Sequence, residues 1–516
     1  VRKVEQLNNG FLDKNGGDLK SLEIGFPDKK RPEKILQFGE GNFLRAFVDF
    51  FIDELNGEKL FDGNIVIVQP IGTSTTLTDI MNAQDGNYTV VLRGLENNAP
   101  VVRQRIITSV SRVLNLFRDF NAYMETMKNP DLRFIVSNTT EAGIVYAQTD
   151  KPDENATDPP ASFPAKITAL LYERYKNFNG AADKGFIFIP CELIDNNGTE
   201  LKQIVLRHAN EWHLPQSFIN WVNESNHFTN TLVDRIVTGY PKDEVDTFAQ
   251  NLGYEDKLLV TGEIFHFFAI EASEAAAKEM NETLPFKKAG QSVVLTSDAT
   301  PYKLRKVRIL NGAHTMSVLA AYLSGKDTVG EMMEDQLFVD FLQKGIYKEI
   351  IPALDGVPAD ELKSFADSVF DRFRNPHIKH YLLSIALNSV SKFKARVLPS
   401  ILDYYKKNNA LPEVLTLSFA ALIAFYKGTE IKEDALVGLR AGESYKIADS
   451  ADVLAFFQTE WQNGDADSVA KATLSNKSFW DADLTEIPGL SDAVAKHLRN
   501  ILANGVKNEI ESIVGA

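Results

Sequence analysis

An α/β domain followed by a mainly α-helical domain is the fold class this sequence predicts, on three observations. Short apolar runs at 34–38, 65–68, 134–136 and 186–189 have the length and composition of strands buried on both faces. The first of them runs into Gly39-Glu40-Gly41 and then into an amphipathic stretch from Ala46 to Leu55, the order strand, glycine turn, helix. From about residue 296 the apolar pattern changes to a period of 3.6 with short turns and few strand signals. Together these place an α/β domain of Rossmann type, the architecture that binds dinucleotides, over 1–295 and a mainly helical domain over 296–516.

The composition agrees with two cores. The chain has 516 residues, of which 44% are hydrophobic, more than one ordinary core holds. Basic residues number 55 against 70 acidic, a net charge of −15. That balance argues against nucleic acid or an anionic membrane as partner and leaves a small molecule, which, if anionic, needs a local cationic pocket. The single cysteine, Cys191, excludes an intrachain disulfide framework and fits a reducing compartment. No apolar run follows Val1-Arg2-Lys3-Val4-Glu5, and the longest, around Leu415 to Tyr426, is too short to span a bilayer. A cytoplasmic protein is expected, and nothing in the composition sets its oligomeric state.

Along the first domain, the Gly39 and Gly41 turn stands where a backbone can bring a pyrophosphate onto a helix N-terminus. Leu44 occupies the place of the third glycine in the usual fingerprint, and a plain tight turn equally fits the pair alone. The second strand ends in Gln69, where such folds often carry an acid for the ribose hydroxyls; with no arginine directly after it, NAD is expected over NADP. Residues 82–91 read as an Asp-Gly turn feeding a strand. The strand from Phe134 opens into Ser137-Asn138-Thr139-Thr140-Glu141, small polar residues of the kind found at the carboxyl end of a parallel sheet. Residues 147–163, rich in Asp and Pro, read as an exposed loop. Asn196-Asn197-Gly198 reads as a turn starting a helix at Thr199. Cys191, Glu263, His266 and His314 lack the paired spacing of a metal site, so no metal is expected.

The second domain opens on the segment richest in chemistry, Lys303 to His314. At about 100° per residue, Lys303, Lys306, Asn311 and His314 fall within roughly 140° of arc. One helix face then carries amines, an amide and an imidazole, a set able to handle a proton and a developing oxyanion together. Solvated basic residues followed by a helix with a satisfied histidine fit the same spacing. Arg305 and Arg308 project from other sides. Downstream, Arg372-Phe373-Arg374-Asn375-Pro376 precedes a helical stretch from Ser384 to Lys392.

Lys306-x4-Asn311-x2-His314 resembles the catalytic signature of the polyol-specific long-chain dehydrogenases, the mannitol dehydrogenase family, and the likeness extends over nearly the whole chain. The resemblance implies an NAD-dependent, metal-independent hydride transfer. Lys306 would be the proton donor and base, Asn311 and Asn197 would hold the reacting oxygen, and His314 would orient the substrate hydroxyl or hydrogen-bond Lys306. Gly39-x-Gly41-x-Phe43-x-Arg45 is similar to the family's nucleotide loop, which adds Phe38, Asn42, Phe43 and Arg45 as cofactor contacts. The family's Thr-Glu loop beside the cofactor adds Asn138 and Thr140. Val233-Asp234-Arg235-Ile236 implies Asp234 near the substrate, although an Asp-Arg salt bridge competes for that role, and Glu263 to Phe267 resembles a family strand. Lys392 matches a substrate-contacting lysine. Two departures matter: Ser384 replaces an arginine of the mannitol enzymes, and Lys303 stands where they carry a glutamate. The added positive charge suits the carboxylate of a sugar acid better than a neutral polyol. Lys303 and Lys392 are the expected carboxylate partners, with Arg396 and Lys379 behind them. Epimeric uronates, a neutral polyol, or a non-catalytic dinucleotide sensor are the rival readings.

Overall fold

A computed structural model describes residues 5–515 except 20–21, 26–29, 73, 141 and 149–157. The first four residues, Glu141 and most of the expected 147–163 loop therefore lie outside the described residues. The chain divides into two compact units, one of residues 1–94 and 100–299, the other of 95–99 and 300–516.

The first unit is built on a six-stranded, all-parallel sheet: β1 (Glu33–Phe38), β2 (Asn64–Gln69), β3 (Val110–Asn115), β4 (Phe134–Ser137), β5 (Ile187–Pro190) and β6 (His227–Phe228). Their spatial order is β6-β5-β4-β1-β2-β3, the doubly wound arrangement in which the chain reverses direction across the sheet between β1 and β4. The apolar runs are continuous because both faces are covered. Ile35, Ile65, Ile67, Phe134 and Val136 enter one core, while Leu36, Phe38, Val66, Val68 and Ile135 enter the other.

After β1 come α1 (Asn42–Arg45) and α2 (Val48–Gly57), not the single helix expected from Ala46 to Leu55. Phe47, at φ −126° and ψ −87°, separates them. Arg45, one turn earlier, is turned into the protein, where its guanidinium donates to the carbonyls of Glu40 and Leu258 and to Asn42 Oδ1. The sheet is flanked further along by α3 (Phe163–Asn177) and α4 (Asn197–Glu211), the latter starting two residues before the expected Thr199.

Glu263 to Phe267 is not one strand. Val260–Glu263 ends in a five-stranded sheet and Phe267–Glu271 begins in a three-stranded one. The link between them is bent around Arg235, whose guanidinium donates to the carbonyls of Ile264, Phe265 and Ala46.

The second unit is mostly helical. It begins with α5 (Thr300–Arg305), passes through a π-helical turn (Lys306–Asn311) and continues as α6 (Gly312–Leu323). The stretch expected as one helix from Ser384 to Lys392 is two, α7 (Leu382–Ile385) and α8 (Ser389–Arg396), parted by Asn388 at φ 53°. The apolar run near residue 420 is α9 (Glu413–Phe425), buried from Val414 to Phe425; Ser418 Oγ bonds the Met316 carbonyl of α6 at 2.8 Å. A three-stranded antiparallel sheet over Gly428–Lys432, Ala435–Arg440 and Glu443–Ile447 interrupts the helices. Its turns are the pairs Glu433-Asp434 and Ala441-Gly442, all at positive φ, the geometry that matches strand twist in two-residue hairpins. No helix among the described residues is long and apolar enough to cross a membrane.

Candidate active site

In the first unit the expected cofactor residues gather at the carboxyl ends of β1, β2 and β4, over the point where strand order reverses. Gly39 has φ 121°, and a Cβ there would stand 3.0 Å from the Asn138 carbonyl oxygen, so the turn after β1 touches the loop after β4. Its backbone is pinned on both sides: the Gly39 N–H donates to Val68 O at 3.0 Å, and Gln37 Nε2 donates to Gly39 O at 3.1 Å. Gly41 is exposed, and a Cβ on it would meet nothing within 4 Å. Open space therefore lies in front of the backbone where the turn enters α1. Asn42 is exposed, and Phe43, half-buried, stacks on Phe47 at 4.9 Å. Asn138 is half-buried and Thr140 exposed. Thr140 adopts φ 70°, a conformation that costs a β-branched residue energy and is met mostly at functional loops.

Three of the expected cofactor residues are placed to shape this site from behind. Phe38 is fully buried, its ring packed edge-on against Tyr123 and Phe163. Arg45 spends its guanidinium inside the protein, as described above. Gln69 gives its amide N–H groups to the carbonyls of Ile71 and Ser74 and accepts from Thr78 Oγ1 at 2.7 Å, ordering the turn after β2.

Asn197 departs from its expected role. It is 0% exposed; Nδ2 donates to Pro190 O, Glu192 O and Thr231 Oγ1 at 3.1–3.2 Å, and Oδ1 accepts the N–H groups of Gly198 and Thr231, both at 2.9 Å. No donor is left for a reacting oxygen, so this amide ties the end of β5 to the strand Asn230–Asp234. Asp234 is buried at the end of that strand, opposite Phe267. A residue the sequence reading passed over is Glu192. Its buried carboxylate accepts from Ser137 Oγ and from both the N–H and the Oγ1 of Thr139, which fixes the loop carrying Asn138 and Thr140. Burial raises its pKa. An acid just past a buried strand was the available signal.

In the second unit Lys303, Lys306, Asn311 and His314 are all half-buried. The π turn changes their arrangement. The Gly312 N–H reaches back five residues to the Val307 carbonyl, so the helix takes up one extra residue and everything beyond is set back by about 100°. The spread of the four side chains narrows from roughly 140° to about 80°. Arg308 points away, paired with Ser400 and Asp403, and the Arg305 guanidinium lies over the Phe365 ring at 4.4 Å.

Asn311 makes no side-chain hydrogen bond to the described residues, the opposite of Asn197. His314 stacks on Phe373 at 4.2 Å and meets His380 edge-on at 5.1 Å, while its Nε2 is buried with no hydrogen-bond partner among the described residues. Burial, then the charges of His380, Arg372, Arg396 and Lys392, hold its pKa well below the usual value, so the ring is neutral. Phe373 lies in the Arg-Phe-x-Asn-Pro segment and His380 four residues after its proline; the motif was visible although the contact with His314 was not. Lys392 Nζ donates to the Ile385 carbonyl at 2.8 Å, and burial lowers its pKa. Lys379 and Ser384 are exposed. Among the described residues no three His, Cys, Asp or Glu side chains group as a metal site would need.

Comparison with known proteins follows the same two-part division. Residues 33–283 match the mannitol dehydrogenase Rossmann domain and 298–502 the mannitol dehydrogenase C-terminal domain. Altronate oxidoreductases of Klebsiella pneumoniae (strain 342) and Shigella flexneri are each 47% identical over 495 residues, 95% of this chain and 98% of theirs. Among solved structures, a D-sorbitol dehydrogenase in substrate-free form is 20% identical with a TM-score of 0.79, covering 98% of this chain and 100% of that one. Mannitol 2-dehydrogenase of Pseudomonas fluorescens, in ternary complex with NAD and D-mannitol, is 22% identical with a TM-score of 0.65, covering 99% of each chain. Matched in both domains and along almost its full length, the chain belongs to the mannitol dehydrogenase family.

Proposed function

We propose that this protein is an NAD-dependent oxidoreductase that reduces the keto group of tagaturonate to the hydroxyl of altronate, and runs the reverse oxidation, in hexuronate catabolism in the cytoplasm. The observation that carries the reading is the surround of His314. In a chain of net charge −15, the groups acting on this neutral imidazole are His380, Arg372, Arg396 and Lys392, on the helix that also carries Lys306 and Asn311. A carboxylate-bearing sugar answers the charges of Arg396 and Lys392 in a way that a neutral polyol does not. The altronate oxidoreductases resembled over nearly the full length are named for that hydroxy acid.

Residues 1–295 hold the cofactor and 296–516 the substrate. The open face of Gly41 and the close approach at Gly39 suit a backbone that must admit a pyrophosphate. Asn42, Phe43, Asn138 and Thr140 line that place, while Phe38, Arg45 and Gln69 hold its shape. The nicotinamide cofactor would supply the hydride as NADH in reduction and accept it as NAD+ in oxidation.

The rest of the work belongs to this chain's side chains. As the carbonyl carbon gains the hydride, the oxygen takes a proton from the Lys306 ammonium, leaving an alcohol and a neutral amine; oxidation returns the proton to Lys306. Asn311, whose amide is uncommitted, donates a hydrogen bond to the oxygen while it carries charge. Neutral His314 accepts from or donates to the substrate hydroxyl or Lys306 without adding a cation beside the ammonium. Lys303 and Lys392 attract the acid.

The test is loss of NADH absorbance with tagaturonate, fructuronate and fructose in parallel, repeated with NADPH and with Lys306→Ala. Turnover of tagaturonate with NADH, abolished by Lys306→Ala while NADH still binds, is the expected result. Preference for fructuronate or fructose overturns the substrate and keeps the mechanism. No turnover of any of the three replaces the enzyme with a dinucleotide-binding sensor.

A further inference from the structure

Arg396 ends α8 one helical turn after Lys392, so the two side chains share a face. Its guanidinium reaches Thr315 Oγ1 at 3.4 Å, one residue past His314, and its carbonyl oxygen lies 3.4 Å from the Cβ position of Gly312. The end of α8 therefore packs against the Lys306 helix where the π turn gives way to α6, with only a hydrogen on Gly312 between the two backbones.

The charge of Arg396 is poorly answered. A guanidinium has five N–H donors, and the long contact with Thr315 is the only hydrogen bond it makes to the described residues. No carboxylate among them forms an ion pair with it. The groups that act electrostatically on its surroundings are basic: Lys392, Arg372 and His380, the last kept neutral near pH 7 by burial. The acid nearest in effect, Asp449, acts on Lys392 and is committed to the Tyr426 hydroxyl and the Val390 N–H. Lys392 has its ammonium partly satisfied by the Ile385 carbonyl. A half-buried guanidinium without an acid is costly to hold in the free protein, and a ligand carboxylate would relieve that cost with a two-pronged match.

We propose that Arg396 is the residue that selects a sugar acid over a neutral sugar, its guanidinium taking the substrate carboxylate as a bidentate pair with Lys392 as the second cation. This rests on the reading of the chain as a sugar-acid reductase and assigns that site its specificity. Ser384, exposed on the short helix before α8, cannot supply such a charge, and Arg396 provides it from twelve residues further along the chain.

Arg396→Gln and Arg396→Lys test it, each against tagaturonate and against tagatose, in which a hydroxymethyl group stands for the carboxylate. The ratio of kcat/KM for the acid to kcat/KM for the neutral sugar should fall roughly 100-fold in Arg396→Gln, mostly through KM, and recover in part in Arg396→Lys. Urea unfolding of both variants with the wild-type midpoint shows that they fold. Equal losses on the two sugars, or none on either, overturn the assignment. A wild type that reduces no keto sugar acid refutes the proposed reaction instead. The Arg396 assignment is then decided by calorimetry of altronate: a Kd weakened about 100-fold by Arg396→Gln upholds it, and an equal or unmeasurable Kd in the wild type overturns it.

Discussion

Asn311 and Asn197 carry the same amide, and their surroundings give it opposite uses. Every donor and acceptor of Asn197 is engaged inside the protein, whereas the side chain of Asn311 bonds none of the described residues. On the role proposed for Asn311, a donor to the charged oxygen, Asn311→Ala should lower kcat about 100- to 1000-fold with little change in NADH affinity. Removing Asn197 strands buried N–H and C=O groups, so Asn197→Ala should cost about 2–4 kcal/mol of stability. Steady-state kinetics and urea unfolding on the two variants separate these roles; a selective loss of kcat in Asn197→Ala with stability retained would refute the division. Residue types and their spacing were legible for Lys306, Asn311 and His314 because they lie within nine residues of one continuous helical stretch. Whether an amide is already saturated was not legible, since the partners of Asn197 lie as far off as Thr231.

At the scale of elements, the two turns that set up the site differ in how they are encoded. The turn after β1 is written in glycine: at φ 121° and 3.0 Å from the Asn138 carbonyl, position 39 admits no side chain without strain. Gly39→Ala should push the β1 and β4 loops apart and weaken NADH binding by about tenfold or more, a backbone strain of 1–2 kcal/mol or above. Fluorescence titration of NADH measures it, and wild-type affinity would show that the two loops need not touch. The π turn has no such signature. Nothing in the residue spacing marks its extra residue, and a wheel drawn at 100° per residue spreads Lys303, Lys306, Asn311 and His314 over a wider arc than the π turn leaves them. The parallel strands were readable from their length and doubly buried runs. The break at Phe47 depends on Arg45 reaching Leu258, and the division of 384–392 depends on Asn388 taking a left-handed conformation; neither contact nor conformation is local in the sequence.

Over the whole molecule, among the buried carboxyls whose proton affinity burial raises, Asp49 in the first unit and Glu349 in the second are raised to about 7, and both make stability depend on pH. In the first unit, burial raises Asp49, which accepts the Tyr88 hydroxyl at 2.7 Å behind the glycine turn. In the second, burial raises Glu349, which accepts the Val414 and Leu415 N–H groups at the start of α9 at 2.9 and 3.0 Å. Unfolding returns both groups to ordinary carboxyl values near 4, so between about pH 4 and 7 the folded protein binds more protons than the unfolded chain. Stability from these two groups is therefore fully present below the unfolded values and is lost as pH rises through about 7. Glu349→Gln cannot titrate and gives up one acceptor for the two N–H groups, so it should be less stable than wild type at pH 5 yet fall less steeply toward pH 8. The difference in stability between variant and wild type should shrink by at most about 3 kcal/mol across that range. Urea unfolding of both proteins from pH 5 to pH 8 measures the two slopes; parallel slopes would mean that Glu349 stays charged in the fold and that the two backbone N–H groups, not burial, govern its proton.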